Sequence, residues 1–520
     1  MTTLAAALFF CATPLVAQDK SDAEPEVQKV LDFGGMRPDD LVAEFESSNG
    51  RWYREPCTFG VPLLAALEEA WPERRSVRRV SLLAQSYCAA DERRFEDGED
   101  TIRELRELDA DKSYPFVTLF IATQGKEAQL ALDLLSWLDA ESAKDVSPNR
   151  LWRAASMIAN EGREAEMEDQ SLAWFESGLI DSFDVKVRSG LAYRALSAAM
   201  RKDKNDAVPM LLEEITNPIS YISLLTERKY EPIWPQIEER AGANLETVGE
   251  LYVTAQRRKL SENEEDGQQL GSLVRALHYN GEFEAVIALV DEWLEREDAN
   301  GKSRDGPIDE DLAWGMNLQA YAYDALGRVE EGDAVFDRLA QIDPEGKNWL
   351  VSFVINRSSR LVGFGRYEVG LEASRLARSQ PGSTYAEMIV AKNHACALNA
   401  LGRADEAEAE LVFMRENKDA SYSLLGLALL CHGLRDEAAA VLLEGLRDVS
   451  TRDAVIGDLQ PPSTELFYTQ SMLPMKSELL DEYPELAEEF AKHARILPEK
   501  FTPRAALLRA KLELPEWERP

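Results

Sequence analysis

The chain has 520 residues, 45% of them hydrophobic, which is long for one globular core but rich enough in apolar side chains to fold over most of its length. Its 94 acidic residues against 58 basic ones leave a formal charge of −36, and a surface this negative repels phosphate backbones, so nucleic acid is excluded as a partner class. Beyond the first residues no stretch reaches the roughly 18 consecutive apolar residues of a spanning helix, and no transmembrane anchor is expected in the mature chain.

In chain order, residues 1–17 hold an apolar run over 4–16, then Ala17, before the polar Gln18-Asp19-Lys20. That is the length of a signal-peptide core, too short to cross a bilayer. It predicts export to the periplasm or an equivalent compartment, although no Lys or Arg precedes the run. The alternative is a cytoplasmic protein with a buried first helix. Cys11 lacks the small residue before it that a lipid-anchoring box needs. Residues 18–30 read as a flexible acidic start.

A helical N-terminal region spans 31–217. Leu82, Leu83, Ala84 and Tyr87 give way to Ile102 and Leu105; Phe116, Leu119 and Phe120 precede Leu130, Leu132, Leu134 and Leu135; Trp152, Ala155 and Ile158 precede Gly162, Leu172, Trp174 and Phe175. These helical spacings read as degenerate hairpins, with a distinct all-α packing as the alternative. Residues 218–249, with Pro218 and Pro232 as breakers, form a junction.

The region 250–450 repeats a phrase: a helix, a Gly, a polar or basic residue, then an acidic, Ala-rich helix. Its clearest copy is AWGMNLQAYAYDALGRVEEGDAVFDRLAQIDP, from Ala313 to Pro344, and it returns at Gly281, Gly365, Gly402 and Gly433. Met316, Ala320, Tyr323, Ala325 and Leu326 share one helical face. Gly327 ends that helix in a left-handed conformation, and Val329, Gly332, Val335, Phe336 and Leu339 face back from the next. Asp343-Pro344 stops the second helix. Gly332, Gly370, Ala407 and Ala438, each five residues after a turn glycine, allow close helix approach. The order of Tyr323, Gly327, Gly332, Phe336 and Pro344 resembles the tetratricopeptide repeat family. The turn glycines lie 46, 38, 37 and 31 residues apart, against the family's usual 34 or so, so the array is irregular. The resemblance implies an all-α, right-handed solenoid of antiparallel helical hairpins. Residues 451–520 are expected to cap it, through Leu479, Leu480, Leu486, Phe490 and Ile496, then Leu507, Leu508 and Leu512.

Four cysteines remain after the leader. Cys57 and Cys88 can meet within one hairpin and form the expected disulfide. Cys396 and Cys431 sit in equivalent helices of adjacent repeats, whose axes lie about 8–10 Å apart, and are expected as buried free thiols.

Signals of chemistry are few. His278, His394, His432 and His493 have no second metal ligand at helical or CxxC spacing, and no phosphate loop or nucleophile elbow occurs, so no metal and no cofactor are expected. Glu46-Ser47 and Glu176-Ser177 match only the first two residues of the lytic transglycosylase motif, which keeps a glycan-acting, murein-cleaving enzyme as the alternative function. The resemblance favours a non-enzymatic scaffold instead. In such arrays the first helix of each hairpin lines a concave groove. Counting back from the turn glycines places Arg275, His278, Tyr279, Trp314, Asn317, Tyr321, Asp324, Lys392 and Asn399 there, as candidates for binding a protein or peptide.

Overall fold

The computed structural model describes residues 31–517, apart from 49, 109–113, 184, 263–265, 300–307, 343–346, 348, 379–381 and 466–469. The leader over 1–17, the acidic start over 18–30 and the Asp343-Pro344 stop lie outside the described residues. Among the described residues the chain is all-α, with one isolated antiparallel bridge, Glu227 to Ala494. No described helix is long and apolar enough to cross a membrane. The chain divides into two compact units at Ile215 and Thr216.

The N-terminal unit contains α1 (Pro38–Ser47), α2 (Val61–Ala70), α3 (Arg75–Asp91), α4 (Phe95–Leu108), α5 (Pro115–Gly125), α6 (Ala128–Trp137), α7 (Pro148–Asn160), α8 (Glu164–Glu176), α9 (Val185–Arg201) and α10 (Val208–Glu214). From α3 onward the helices pair as hairpins, and every turn has one residue in left-handed backbone: Arg93 (φ 58°), Lys126 (φ 61°), Gly162 (φ 73°) and Asp203 (φ 55°). The next N–H bonds back five residues, from Arg94 to the Ala89 carbonyl, Glu127 to Ala122, Arg163 to Ile158 and Lys204 to Ala199. This satisfies a carbonyl that the helix end leaves over. The turn geometry is that of a glycine-ended helix, but only one of the four turns has the glycine. Cys57 and Cys88 are joined as a disulfide, with Cα atoms 4.8 Å apart.

The C-terminal unit opens with α11 (Pro218–Thr226), α12 (Trp234–Ala241) and α13 (Glu246–Glu262). Of the two expected breakers, Pro218 begins α11, because the first turn needs no proline N–H, and Pro232 lies in the 3-10 turn Arg228–Ile233 that precedes α12; Asn217 caps α11 through the Ile219 N–H. Four hairpins follow: α14 (Gly267–Tyr279) with α15 (Phe283–Ala299), α16 (Glu310–Ala325) with α17 (Val329–Leu339), α18 (Leu350–Gly363) with α19 (Tyr367–Ala373), and α20 (Thr384–Ala400) with α21 (Ala404–Glu416). A fifth pairs α22 (Tyr422–Cys431) with α23 (Arg435–Arg447), before α24 (Arg452–Asp458), α25 (Pro484–His493) and α26 (Arg504–Leu508). Asp266, Asp309, Ser383 and Ser421 cap four of the first helices by accepting a backbone N–H. All five turn glycines have positive φ, between 71° and 78°. Close helix approach is real at Gly370, where an added Cβ would lie 2.7 Å from Val362 Cγ2.

Cys396 and Cys431 form a second disulfide, with Cα atoms 5.1 Å apart, which corrects the expectation of free thiols. The axis separation of about 8–10 Å was the wrong length to compare with disulfide reach. Each Cα sits about 2.3 Å off its axis, so two residues on facing sides of α20 and α22 come within roughly 5 Å.

Candidate functional site: the turn edge and its occupant

Leu479, Leu486 and Phe490 are buried, and α25 packs on α23. After His493 the chain leaves that end and returns to the first helices of the same unit. Ala494 forms the bridge with Glu227, and the Arg495 N–H donates to the Thr226 carbonyl at 2.8 Å. The Arg495 guanidinium lies 3.5 Å from the Trp234 ring centroid and bonds Glu238, which Lys500 also reaches at 2.7 Å. Hydrogen bonds from Lys500 first, and from Arg495, hold the Glu238 carboxyl below the usual range against the opposing effect of burial. Asn244 Nδ2 donates to the Thr502 carbonyl at 3.0 Å.

From there residues 503–517 run along the turns of the hairpins, in repeat order. A Cβ on Gly281 would lie 2.8 Å from Leu508 Cδ1 and 3.2 Å from the Ala505 Cα. A Cβ on Gly327 would lie 3.3 Å from Ala510 Cβ, and the Ala510 N–H donates to the Ala325 carbonyl at 2.6 Å. At Gly365 the neighbours are Met472 Sδ, 2.6 Å from a built Cβ, and Pro515 Cγ at 3.8 Å. Met472 belongs to a shorter strand of chain beside it, whose N–H bonds the Gly363 carbonyl at 2.9 Å. Trp517 ends the described path edge-on to Tyr367, in a cluster with Val362, Cys396, Ala397 and Cys431. Turn glycines therefore have two tasks here. They adopt left-handed backbone, and at three hairpins they leave room for a crossing chain.

Two of the candidate groove residues, His278 and Tyr279, lie close to Arg509 of this segment. His278 is only 1% exposed, its ring stacked edge-on to Phe283. Burial and, second, the Arg509 cation push its pKa down to about 3, its hydrogen bond to the Tyr321 backbone opposing them. Tyr279 is buried beside it, and burial raises its pKa. Arg275 is half-buried, and Trp314 packs on Phe353 at a ring separation of 4.7 Å. Tyr321 meets Phe336 edge-on, and Asn317 accepts from Asn356 at 3.2 Å. Asp324 receives two bonds from Arg360, at 2.7 and 2.6 Å, with both side chains buried, and Arg360 also binds Asp333 and the Val329 carbonyl. Lys392 donates to Asn393; burial and nearby Lys476 push its pKa down to about 8. Asn399 donates to the Cys431 carbonyl at 2.9 Å. Most of the set is buried, tying one repeat to the next or lying beneath the chain's own later segments, so it is not a single open groove.

Sequence spacing also misses a cluster between α19, α20 and α21. Ser374 Oγ bonds His394 Nε2, and His394 Nδ1 lies 3.4 Å from Glu410 Oε1. Hydrogen bonds from His394 and contacts with Arg378 outweigh burial and hold the Glu410 carboxyl low. The connectivity is that of a serine–histidine–carboxylate triad, but Ser374 is fully buried and its hydroxyl also reaches the Leu371 carbonyl at 2.9 Å. A nucleophile needs a face open to a carbonyl carbon, and this one has none. Two adjoining clefts of about 380 and 460 Å³ share Arg378 and Glu410. Glu46 and Glu176 are exposed, and Glu176 pairs with Lys204, which is not the apolar setting a general acid requires. Cys57, Cys88 and Glu92 converge as metal ligands would, but the two sulfurs are joined to each other.

Compared with known proteins, the chain matches no family model, and no curated protein is significantly similar to it.

Proposed function

We propose that the chain is a non-enzymatic scaffold of the tetratricopeptide type, a right-handed solenoid that binds proteins by holding an extended peptide segment along the turn edge of its C-terminal hairpins. The observation that carries this reading is the course of residues 503–517, a peptide already lying on that edge in register with Gly281, Gly327 and Gly365. An extended chain advances about 3.3 Å per residue, so the five residues from Ala510 to Pro515 span roughly 17 Å. Two steps between packed helix axes, at about 8–10 Å each, require a similar advance. The extended part of the segment can therefore advance from the Gly327 turn to the Gly365 turn, after the short helix Arg504–Leu508 that lies at Gly281. Export is part of the proposal. It is supported by the leader-like 1–17 and by four cysteines closed into two disulfides, which suits an oxidising compartment.

The test is photo-crosslinking in cells, with the reactive residue placed at Gly402 or Gly433, where nothing among the described residues lies within 4 Å of a built Cβ. The same protein captured from both turns, and not from the exposed Arg375, is the expected result. Identical captures at all three positions, or none at the turns, would contradict the reading.

A further inference from the structure

The occupant of the turn edge is held unevenly. Phe501, Pro503 and Ala505 are buried, but from Ala506 to Trp517 no residue is, and Lys511, Glu513, Pro515 and Glu516 are exposed. Leu507 and Leu508, which an anchored helix would bury, are 59% and 49% exposed. Main-chain anchorage is as sparse: the Ala510 N–H on the Ala325 carbonyl, and the Leu512 N–H on the Gln470 side chain. The Trp517 indole N–H is out of water with no hydrogen-bond partner among the described residues. A segment with few buried contacts and an unsatisfied donor opens at low free-energy cost compared with the core beneath it. Past Trp517 the same kind of turn continues at Gly402 and Gly433, where the edge is open among the described residues.

We infer that residues 503–517 are an exchangeable occupant of this edge, and that partners displace them with an extended segment of the same chemistry. Such a segment has small residues where it crosses Gly281 and Gly327, as Ala505 and Ala510 do. It alternates apolar and charged residues after that, as Lys511, Leu512, Glu513 and Leu514 do, and it ends in an aromatic ring for the cluster at Val362 and Tyr367. A partner enters at the open turns and replaces the Trp517 ring, whose indole N–H is left unpaired there, with an aromatic side chain of its own. This inference rests on the turn edge being the binding surface. Tethering gives the cis segment an effective concentration on the order of millimolar, so a free peptide competes poorly until the tether's own contacts are weakened.

The test uses the full chain and a fluorescent synthetic peptide spanning residues 503–517, read by anisotropy. In a full chain carrying Ala505→Glu and Ala510→Glu, which weaken the cis segment and leave the edge untouched, the peptide binds at least 10-fold more tightly than to the wild type. A scrambled peptide, and one carrying Ala510→Trp, do not bind the double variant. If that variant has a lowered Tm, Leu512→Asp with Trp517→Ala, at half-buried positions of the same segment, repeats the comparison. Binding no tighter in a variant that keeps its Tm, or equal binding of the scrambled peptide, overturns the inference. Concentration-dependent dimers of the loosened chain that the peptide dissolves would support it, as the same exchange between two copies. The two proposals fail separately. Crosslinks at Gly402 and Gly433 without peptide exchange would keep the scaffold and discard the displacement. Peptide exchange without crosslinks would leave an intramolecular occupant with no foreign partner.

Discussion

The N-terminal and C-terminal units turn their hairpins with one backbone geometry and different residues. Both place a residue at positive φ and bond the following N–H back five residues, yet the N-terminal unit does this with Arg93, Lys126 and Asp203 beside Gly162, and the C-terminal unit with glycine at all five turns. Left-handed backbone alone costs a non-glycine residue only about 1–2 kcal/mol, which a packed hairpin can absorb. The contrast teaches that left-handedness does not by itself require glycine here. At Gly281, Gly327 and Gly365 there is a second reason, the chain that crosses them, whereas at Gly402 and Gly433 nothing among the described residues lies within 4 Å of a built Cβ.

The largest expected effect breaks the polar tie specific to the C-terminal unit. Asp324→Ala leaves the Arg360 guanidinium buried with half its partners gone, a change on the order of 3–5 kcal/mol. In calorimetry the transition of the C-terminal unit falls, and the N-terminal unit, followed by exchange protection of α7 and α8, keeps its own. Loss of protection in both would show that the units do not differ in this way. Tyr321→Ala acts likewise on folding rather than on ligand contact, since its ring is packed on Phe336.

A smaller effect separates the two tasks of glycine. Gly281→Ala adds a collision with Leu508 and Ala505 to the left-handed cost and should lower stability by about 2–3 kcal/mol, against about 1 kcal/mol for Gly402→Ala. Equal losses in urea titrations would remove the crossing chain as a reason for glycine. The converse change in the other unit, Lys126→Gly or Asp203→Gly, relieves the backbone and should be neutral or stabilising by at most about 1 kcal/mol. A clear destabilisation there would mean that those side chains hold the turn.

Acid acts on the C-terminal unit through a buried histidine. His278 is neutral in the fold, with its pKa pushed down to about 3, while the unfolded chain takes up a proton near 6.5. Its contribution to stability is therefore complete above about pH 6.5. It is lost as pH falls toward 3, by about 1.4 kcal/mol per pH unit. The difference in unfolding free energy between wild type and His278→Gln should shrink over that range. A difference that stays constant from pH 7 to pH 4 would contradict the burial assigned to this ring.

The five glycine turns, the paired helices and the small residues at 332 and 370 were legible in the sequence, because left-handed backbone and close approach restrict residue choice. Arg93, Lys126 and Asp203 hid their turns because they bear the strain without advertising it. The segment over 505–512 reads as an Ala- and Leu-rich capping helix, yet only Arg504–Leu508 is helical. Contact with the distant Gly281 and Gly327 decides its path, and local spacing contains no trace of that. The candidate groove residues lie on the first helices of their hairpins, but what packs against them was out of reach for the same reason. Ser374, His394 and Glu410 meet across three helices, so no short motif announces them.

A disulfide trap reads out whether residues 503–517 lie on the turn edge. A Cβ on Gly327 stands 3.3 Å from Ala510 Cβ, close to the separation of about 3.8 Å that bonded cysteines adopt. In the full chain carrying Gly327→Cys and Ala510→Cys, peptide mapping without reductant should recover the two positions joined, and Gly402→Cys with Ala510→Cys should remain unlinked. Two freely alkylated thiols in the first variant, with the fold intact, would place the segment elsewhere and contradict the account.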